Sequence, residues 1–491
     1  MTPQTYLAID LGAESGRVVA AGFDGSRLTL DARHRFSTVP VRLGDTLCLD
    51  FPGVFREICA GLRAAAACPG GEFASVAIDS WGVDFGFLDR RGRLMANPVH
   101  YRDARTQGIP ARFHESFPRH RLYEITGLQT MPFNTLFQLH SLALESSPYL
   151  QYADKFLMIA DLTAYFLSGA AVQEYTLAST SHLIDARAHA WSEEVVKAAG
   201  APAGLLPPLA KPGTAIGRIF APIASDVNLP RLPVIAAAGH DTAAAVAAVP
   251  ARGDDWLFLS SGTWSLIGAE ILEPLLTPEA AAANFTNEGG VGGAIRFLKN
   301  LMGMWLVQEC RRAWEREGAC ADYAVLVDQA RASAPLRSFV NPANEAFLAP
   351  GDMPRRIAGY CRDAGQPEPS TPGEFVRCAC ESLALAYRLS AETISRLTGR
   401  TFRTLHIVGG GSQNRLLNQF AADATGLEVV AGPVEATALG NALMQAIALG
   451  AVKDLAEARE IVRRSMEVET FAPTGERSAW EDAYGRFLAL P

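Results

Sequence analysis

The sequence predicts an α/β fold of two domains, each built on a mixed sheet flanked by helices, with a cleft between them. Three observations predict it. An apolar run at the N-terminus enters the turn DLGAESGR (10–17) and leaves as a second apolar run, the pattern of strand, tight polar turn, strand. The same device returns in the other half at LSSGTW (259–264). At 491 residues the chain is also too long for one core, since a domain averages roughly 150 residues.

In the first half, three strands are expected at 5–10, 16–23 and 28–36, joined by turns short enough to make them antiparallel. A helix near 51–66 then leads to a buried strand at 73–79. A return through a helix favours a parallel neighbour, so the sheet is mixed. In the second half a strand at 234–238 is followed by a small-residue helix start at 241–249 and a hairpin at 256–267. Further on, Leu405–Val408 runs into Gly409-Gly410-Gly411-Ser412 and an amphipathic helix over 413–425, with two more helices near 435–449 and 452–466. The boundary is placed at 244/245, giving domains 1–244 and 245–491, although the loop-rich 207–233 stretch could pull it earlier.

Composition narrows the function. With 49% hydrophobic and 20% charged residues and a net charge of −8, there is no basic field for a nucleic acid backbone or an anionic membrane. The opening MTPQTYLAID lacks the basic and apolar regions of a signal peptide, so a cytoplasmic address is expected. The longest uncharged runs, 125–144 and 436–452, are broken by polar residues and do not read as membrane spans. The cysteines at 48, 59, 68, 310, 320, 361, 378 and 380 lack zinc-site spacing and read as reduced packing residues.

Glycine turns let backbone amides approach phosphate oxygens, and both hairpins add hydroxyl donors: Ser15 in one, Ser260, Ser261 and Thr263 in the other. Turn chemistry alone also favours these residues. Asp10 ends its strand, well placed to meet a metal ion bound to phosphate. Gly239-His240-Asp241-Thr242 puts Asp241 at a helix start, where it is either a cap or a carboxylate poised to take a proton from an alcohol. Residues 79–85 combine two carboxylates, an aromatic ring and a glycine at a strand end, which suits a polyhydroxylated ligand or simply a buried tryptophan at a turn. Arg102 and Arg105 could serve hydroxyls or ion pairs. Asn300 is expected at the mouth of a helix carrying Gln308, as a cap or as a residue lining the cleft.

Ten blocks in one order carry a resemblance that runs nearly end to end: DLGAESGR, IDSWGVDF (78–85), YRDART (101–106), MPFNTLFQL (131–139), GHDTA (239–243), LSSGTWSL (259–266), TNEGG (286–290), LKNLMGMWLVQE (298–309), LHIVGGGSQN (405–414) and AGPVEATALGN (431–441). The chain resembles the FGGY carbohydrate kinase family of the actin-like ATPase superfamily, and within it the kinases of L-rhamnulose. The resemblance implies two actin-like (ribonuclease H-like) domains and phosphorylation of the 1-hydroxyl of L-rhamnulose by MgATP. It implies Asp241 as general base and Asp10 beside the magnesium ion. ATP contacts would come from Ala13, Glu14, Ser15, Gly16, Arg17, Thr263, Gln308 and Gly410, and sugar contacts from Gly82, His240, Asp241, Thr242 and Asn300. Glu14 departs from the small or hydroxyl residue expected in the phosphate turn and brings an anion close to the nucleotide, to be turned outward or offset by Arg17.

The expected arrangement has ATP on the C-terminal half, sugar on the N-terminal half and Asp241 between them, with closure excluding water. Partners are then a ketose and ATP, with no nucleic acid or membrane, in a monomer or homodimer. A kinase for another ketose, such as L-fuculose or a ketopentose, is the alternative within the family. An actin-like ATP-dependent binding protein is the alternative outside it, against which the SWGVDF and GHDTA blocks argue.

Overall fold

The structure is a computed structural model that describes residues 3–68, 72–319, 322–475 and 477–491, so Cys320 lies outside the described residues. The chain forms two compact units. The first comprises 1–250, 270–297 and 436–466, and the second 251–269, 298–435 and 467–491. Each is α/β with a mixed sheet, as the sequence predicts.

In the first unit, Gln4–Leu11 pairs antiparallel with Ser15–Phe23, which pairs antiparallel with Leu28–Ser37. On its other side Gln4–Leu11 runs parallel to Phe73–Ser80, and Pro233–Ala236 adds a further parallel strand before the antiparallel edge strand Thr214–Arg218. The parallel strands read as continuous apolar runs because both sheet faces are covered. One cover is the helix Phe51–Ala66, started by Asp50, whose carboxylate accepts from the Gly53 amide at 3.2 Å. Another is Ala436–Ala448, which packs on the helix Asp241–Ala247 so closely that a Cβ on Gly440 would overlap the Ala244 carbonyl oxygen.

Ala436–Ala448 is also pinned by a buried polar ladder. Gln445 donates to the Leu7 carbonyl at 3.0 Å and to Asn441 Oδ1 at 2.8 Å, and accepts from Ser75 Oγ at 2.7 Å. Asn441 donates onward to Asp79 Oδ2 at 2.7 Å. Gln445, Asn441 and Ser75 each find a partner within the ladder, which makes their burial tolerable and fixes one register of helix on sheet.

The second unit repeats the plan. Its sheet runs Ile295–Met302, Trp264–Ile271, Trp256–Ser261, Thr404–Val408, Glu428–Ala431, Glu469–Phe471, the C-terminal part of the first of these strands belonging to this unit. Trp256–Ser261 pairs antiparallel with Trp264–Ile271 and parallel with Thr404–Val408; a parallel strand and an antiparallel edge follow. A hairpin, two parallel neighbours and a reversed edge therefore occur in both units. The longest helix, Pro372–Thr398, opens on a Thr371/Glu374 capping box and ends at Gly399, which adopts a left-handed φ of 67°.

The seven cysteines among the described residues are free, and all but Cys68 are buried. Among the described residues no helix is long and apolar enough to cross a membrane.

Candidate active site

Three neighbouring parallel strands of the first unit end at one edge of the sheet, where open α/β sheets present their functional groups. Gln4–Leu11 delivers Asp10 and Phe73–Ser80 delivers Asp79, which sit opposite one another in register. Pro233–Ala236 leads into Gly239 and His240, the latter bridged to Ser80, and Asp241 then opens the helix Asp241–Ala247. The helix cap is His240 rather than Asp241.

Asp10 is buried and ion-paired with Arg17, whose Nε and Nη2 both lie 2.8 Å from Oδ2. Asp79 is fully buried, and only one of its carboxylate oxygens is hydrogen-bonded, to Asn441; Oδ1 has no hydrogen-bond partner. Burial first, and then the nearby Asp10 charge, holds the Asp79 carboxyl well above the usual carboxylate range, with Asp241 adding to the rise.

Asp241 uses its two oxygens differently. Oδ1 accepts from the Thr242 amide at 2.5 Å and the Thr242 hydroxyl at 3.2 Å, and faces His240 Nε2 at 3.3 Å. All three contacts fall on that one oxygen, and the side chain retains 30% of its surface. Desolvation raises its pKa from the ordinary carboxylate value, opposed by His240, Thr242 and Arg296.

Behind Asp241 lies a layer of buried charge. His240 Nδ1 is 3.0 Å from Arg296 Nη2 and 3.2 Å from Glu288 Oε2, and those two side chains approach each other to 3.1 Å. Arg296 is fully buried and donates from Nε to the Gly289 carbonyl at 2.9 Å. Glu174 braces the loop from the other side, accepting from the amides of Gly239, Thr176 and Leu177 and from the Thr176 hydroxyl. A Cβ on Gly239 would stand 2.8 Å from Glu174, so only glycine leaves that carboxylate its place.

Gly82 lies in the turn after Phe73–Ser80, 2.8 Å of hypothetical Cβ distance from Thr180 Oγ1, and Val83 beside it takes a φ of 70° that β-branched residues rarely adopt. Trp81 is buried, its indole donating to Asp84 Oδ2 at 3.0 Å; the Tyr101 amide donates to the same oxygen at 3.1 Å. Burial lifts the Asp84 carboxyl to about 7 despite these bonds and the nearby Arg105. Arg105 donates to Gln138 Oε1 at 2.5 Å.

The Gly12–Ser15 turn, carrying Ala13 and Glu14 ahead of Gly16 and Arg17, is closed by the Gly12 amide on the Ser15 carbonyl at 3.0 Å. Thr38 braces it through its hydroxyl on the Gly12 carbonyl at 2.6 Å and its amide on the Glu14 carbonyl at 3.2 Å. Asp10, Arg17, this turn, Gly82, His240, Asp241 and Thr242 thus all belong to the first unit.

Thr263, Gln308, Gly410 and Asn300 belong to the second unit. The Thr263 carbonyl accepts from the amides of Gly303 and Trp305, tying the hairpin turn to the helix Trp305–Arg316 that carries Gln308. Gln308 Oε1 and Ser261 Oγ are buried without a hydrogen-bond partner. The Gly409–Gly411 turn packs on Ser261 so tightly that a Cβ on Gly411 would overlap its hydroxyl, whereas Gly410 faces outward with no atom within 4 Å of a Cβ position. Thr263, Gln308, Ser261 and the glycine turn are therefore parts of one local assembly. Asn300 is not at a helix mouth: it lies inside the strand Ile295–Met302, because Gly303 packs on the Trp264 backbone and breaks the run before the helix begins at Trp305.

Sequence reasoning missed Arg296, Glu288 in a role of its own, Glu174 and Asn441. The signal for Arg296 was a lone cation inside the apolar strand pattern Ile295-Arg296-Phe297-Leu298, since an arginine at a core position needs a partner. For a divalent cation, Asp10 with Asp79 alongside supplies hard oxygen donors and a carboxylate oxygen with no hydrogen bond, a set that suits Mg²⁺, which takes one or two carboxylates and completes its shell with water and phosphate.

Two family models match the chain, "FGGY family of carbohydrate kinases, N-terminal domain" over residues 5–247 and "FGGY family of carbohydrate kinases, C-terminal domain" over residues 257–449. A rhamnulokinase of Bacteroides thetaiotaomicron is 43% identical over 484 residues, covering 99% of both chains. A rhamnulokinase of Enterococcus faecalis is 39% identical over 488 residues, covering 99% of this chain and 97% of its own. Among solved structures, a gluconate kinase from Lactobacillus acidophilus superposes with a TM-score of 0.82 at 16% identity, covering 99% of this chain and 97% of its own. Plasmodium falciparum glycerol kinase with ADP gives 0.79 at 15% identity, covering 99% and 98%.

Proposed function

The chain belongs to the FGGY family of carbohydrate kinases and is itself a carbohydrate kinase using ATP, and from that premise we propose that it transfers the γ-phosphoryl group of MgATP to the 1-hydroxyl of L-rhamnulose. The observation that carries the choice of sugar is the identity of 36–43% over nearly the whole chain to relatives that are rhamnulokinases.

In this reading Asp241 is the general base. Its Oδ1 is occupied by Thr242 and His240, so Oδ2 receives the proton of the 1-hydroxyl as that oxygen attacks the γ-phosphorus and ADP departs. Gly82, His240, Thr242 and Asn300 hold the sugar. Ala13, Glu14, Ser15, Gly16 and Arg17 offer turn amides and one guanidinium to phosphate, and Thr263, Gln308 and Gly410 hold the nucleotide; the unpartnered Gln308 Oε1 and the open face of Gly410 support that assignment. Asp10 would hold magnesium, which supplies charge neutralisation on the phosphates when bound. The sugar contacts other than Asn300 fall within residues 1–244 and the nucleotide contacts other than the phosphate turn at 13–17 fall within 245–491, and a cytoplasmic place of work belongs to the same reading.

Turnover of L-rhamnulose, L-fuculose, L-ribulose, L-xylulose and glycerol with ATP tests the substrate; a decisive preference for any but the first overturns it. Asp241→Asn is expected to lower kcat by about two to four orders of magnitude with ATP binding little changed, and near-normal turnover would remove Asp241 from its role.

A further inference from the structure

We propose that Arg296 is a positioning residue that fixes the tautomer of His240, and through it dedicates one oxygen of Asp241 to the sugar hydroxyl. The proposal rests on Asp241 being the base. A guanidinium nitrogen can only donate, so its approach to His240 Nδ1 at 3.0 Å is attractive only if that nitrogen carries a bare lone pair. A carboxylate can only accept, so the approach of Asp241 Oδ1 to His240 Nε2 at 3.3 Å is attractive only if Nε2 carries the proton. A single neutral form, protonated at Nε2, satisfies both contacts. The other neutral tautomer would set a lone pair against the Asp241 carboxylate and a hydrogen against Arg296.

Glu288 explains why the arginine is needed. Its Oε2 lies 3.2 Å from His240 Nδ1 and, alone, would draw the ring proton to that nitrogen. Arg296 Nη2, 3.1 Å from the same oxygen, offsets the Glu288 charge as an ion pair while it donates to Nδ1, and so denies Nδ1 its proton. Arg296 is itself fully buried and anchored through Nε on the Gly289 carbonyl, so it cannot swing aside. With Nε2–H donating to Oδ1 beside the two Thr242 donors, Oδ1 is saturated and cannot compete for the substrate proton. Removing Arg296 would send the ring proton toward Glu288, turn a lone pair onto Asp241 and loosen its carboxylate.

The direct test needs no substitution in its first arm. In protein labelled with ¹⁵N-histidine, with the His240 signals assigned by their loss in His240→Asn, the expected result is one bare and one protonated ring nitrogen, the proton residing on Nε2. A proton on Nδ1 in the unsubstituted protein overturns the proposal. In Arg296→Gln the proton is expected on Nδ1, with kcat for the sugar reduced about tenfold to a hundredfold and the KM for ATP unchanged, while Arg296→Lys restores most of kcat. Should Arg296→Gln fail to fold, Arg296→Lys and the unsubstituted spectrum still decide. Failure of the underlying reading is separable: undiminished turnover in Asp241→Asn removes the base, whereas a collapse in Asp241→Asn with full kcat in a folded Arg296→Gln removes only the positioning role.

Discussion

At the scale of the residue, burial here is used to set protonation as much as to pack. Asp84 is fully buried and its folded pKa is lifted to about 7 by desolvation, against an ordinary value near 3.8. Between those values the folded chain keeps a proton that the unfolded chain releases, so this group's stabilising effect is complete below about pH 4 and is lost as pH rises through 7. Asp84→Asn imitates the protonated form while preserving an acceptor for Trp81 and Tyr101. Its thermal midpoint is expected to exceed that of the unsubstituted protein at pH 8, by on the order of 2–4 kcal/mol of stability, and the advantage should shrink toward pH 5. A constant difference across that range would refute the assignment. Asp10 and Asp241 were legible in the sequence because acidic residues at strand and helix ends stand out against apolar runs. Arg296 and Glu174 were not, because their roles depend on residues far away in the chain: Glu174 is defined by the Gly239 amide and Arg296 by His240.

At the scale of the element, the most legible features were those with local chemistry: the two glycine hairpins, the helix Phe51–Ala66 with its Asp50 start, and the helix after Gly409–Gly411. The stretch 298–309 was harder, since Leu298-Lys299-Asn300-Leu301-Met302 and Trp305-Leu306-Val307-Gln308-Glu309 both mix apolar and polar residues, and only the close approach of Gly303 to the Trp264 backbone decides that the first part is strand and the second helix. A second close approach supports a prediction. Gly440 lets the helix Ala436–Ala448 lie directly on the backbone of Asp241–Ala247, the helix that begins with Asp241. Gly440→Ala must part the two, costing about 3 kcal/mol or more in urea unfolding and lowering kcat about a hundredfold through displacement of the carboxylate. Unchanged kinetics would mean that the helix start is held independently of its neighbour.

At the scale of the whole molecule, two units share one sheet plan, and the sequence showed this as the echoed strand–turn–strand device. It did not show that the first unit is assembled from three separated stretches, because nothing in the local pattern of 436–466 says which sheet it will cover. The consequence is measurable. A chain ending at Pro250 lacks Asn441 and Gln445, leaving Asp79, Ser75 and the Leu7 carbonyl without the partners they have in the complete fold. Such a chain is expected to be insoluble or to unfold without a cooperative transition, and a soluble, cooperatively melting product would contradict this. The same polar ladder sets a timetable for biosynthesis. Asp79 leaves the ribosome long before its partner Asn441, 362 positions later, is translated, so the nascent sheet must wait, with an uncovered face, for the helix Ala436–Ala448. Its final closure is therefore a late event in the making of this fold.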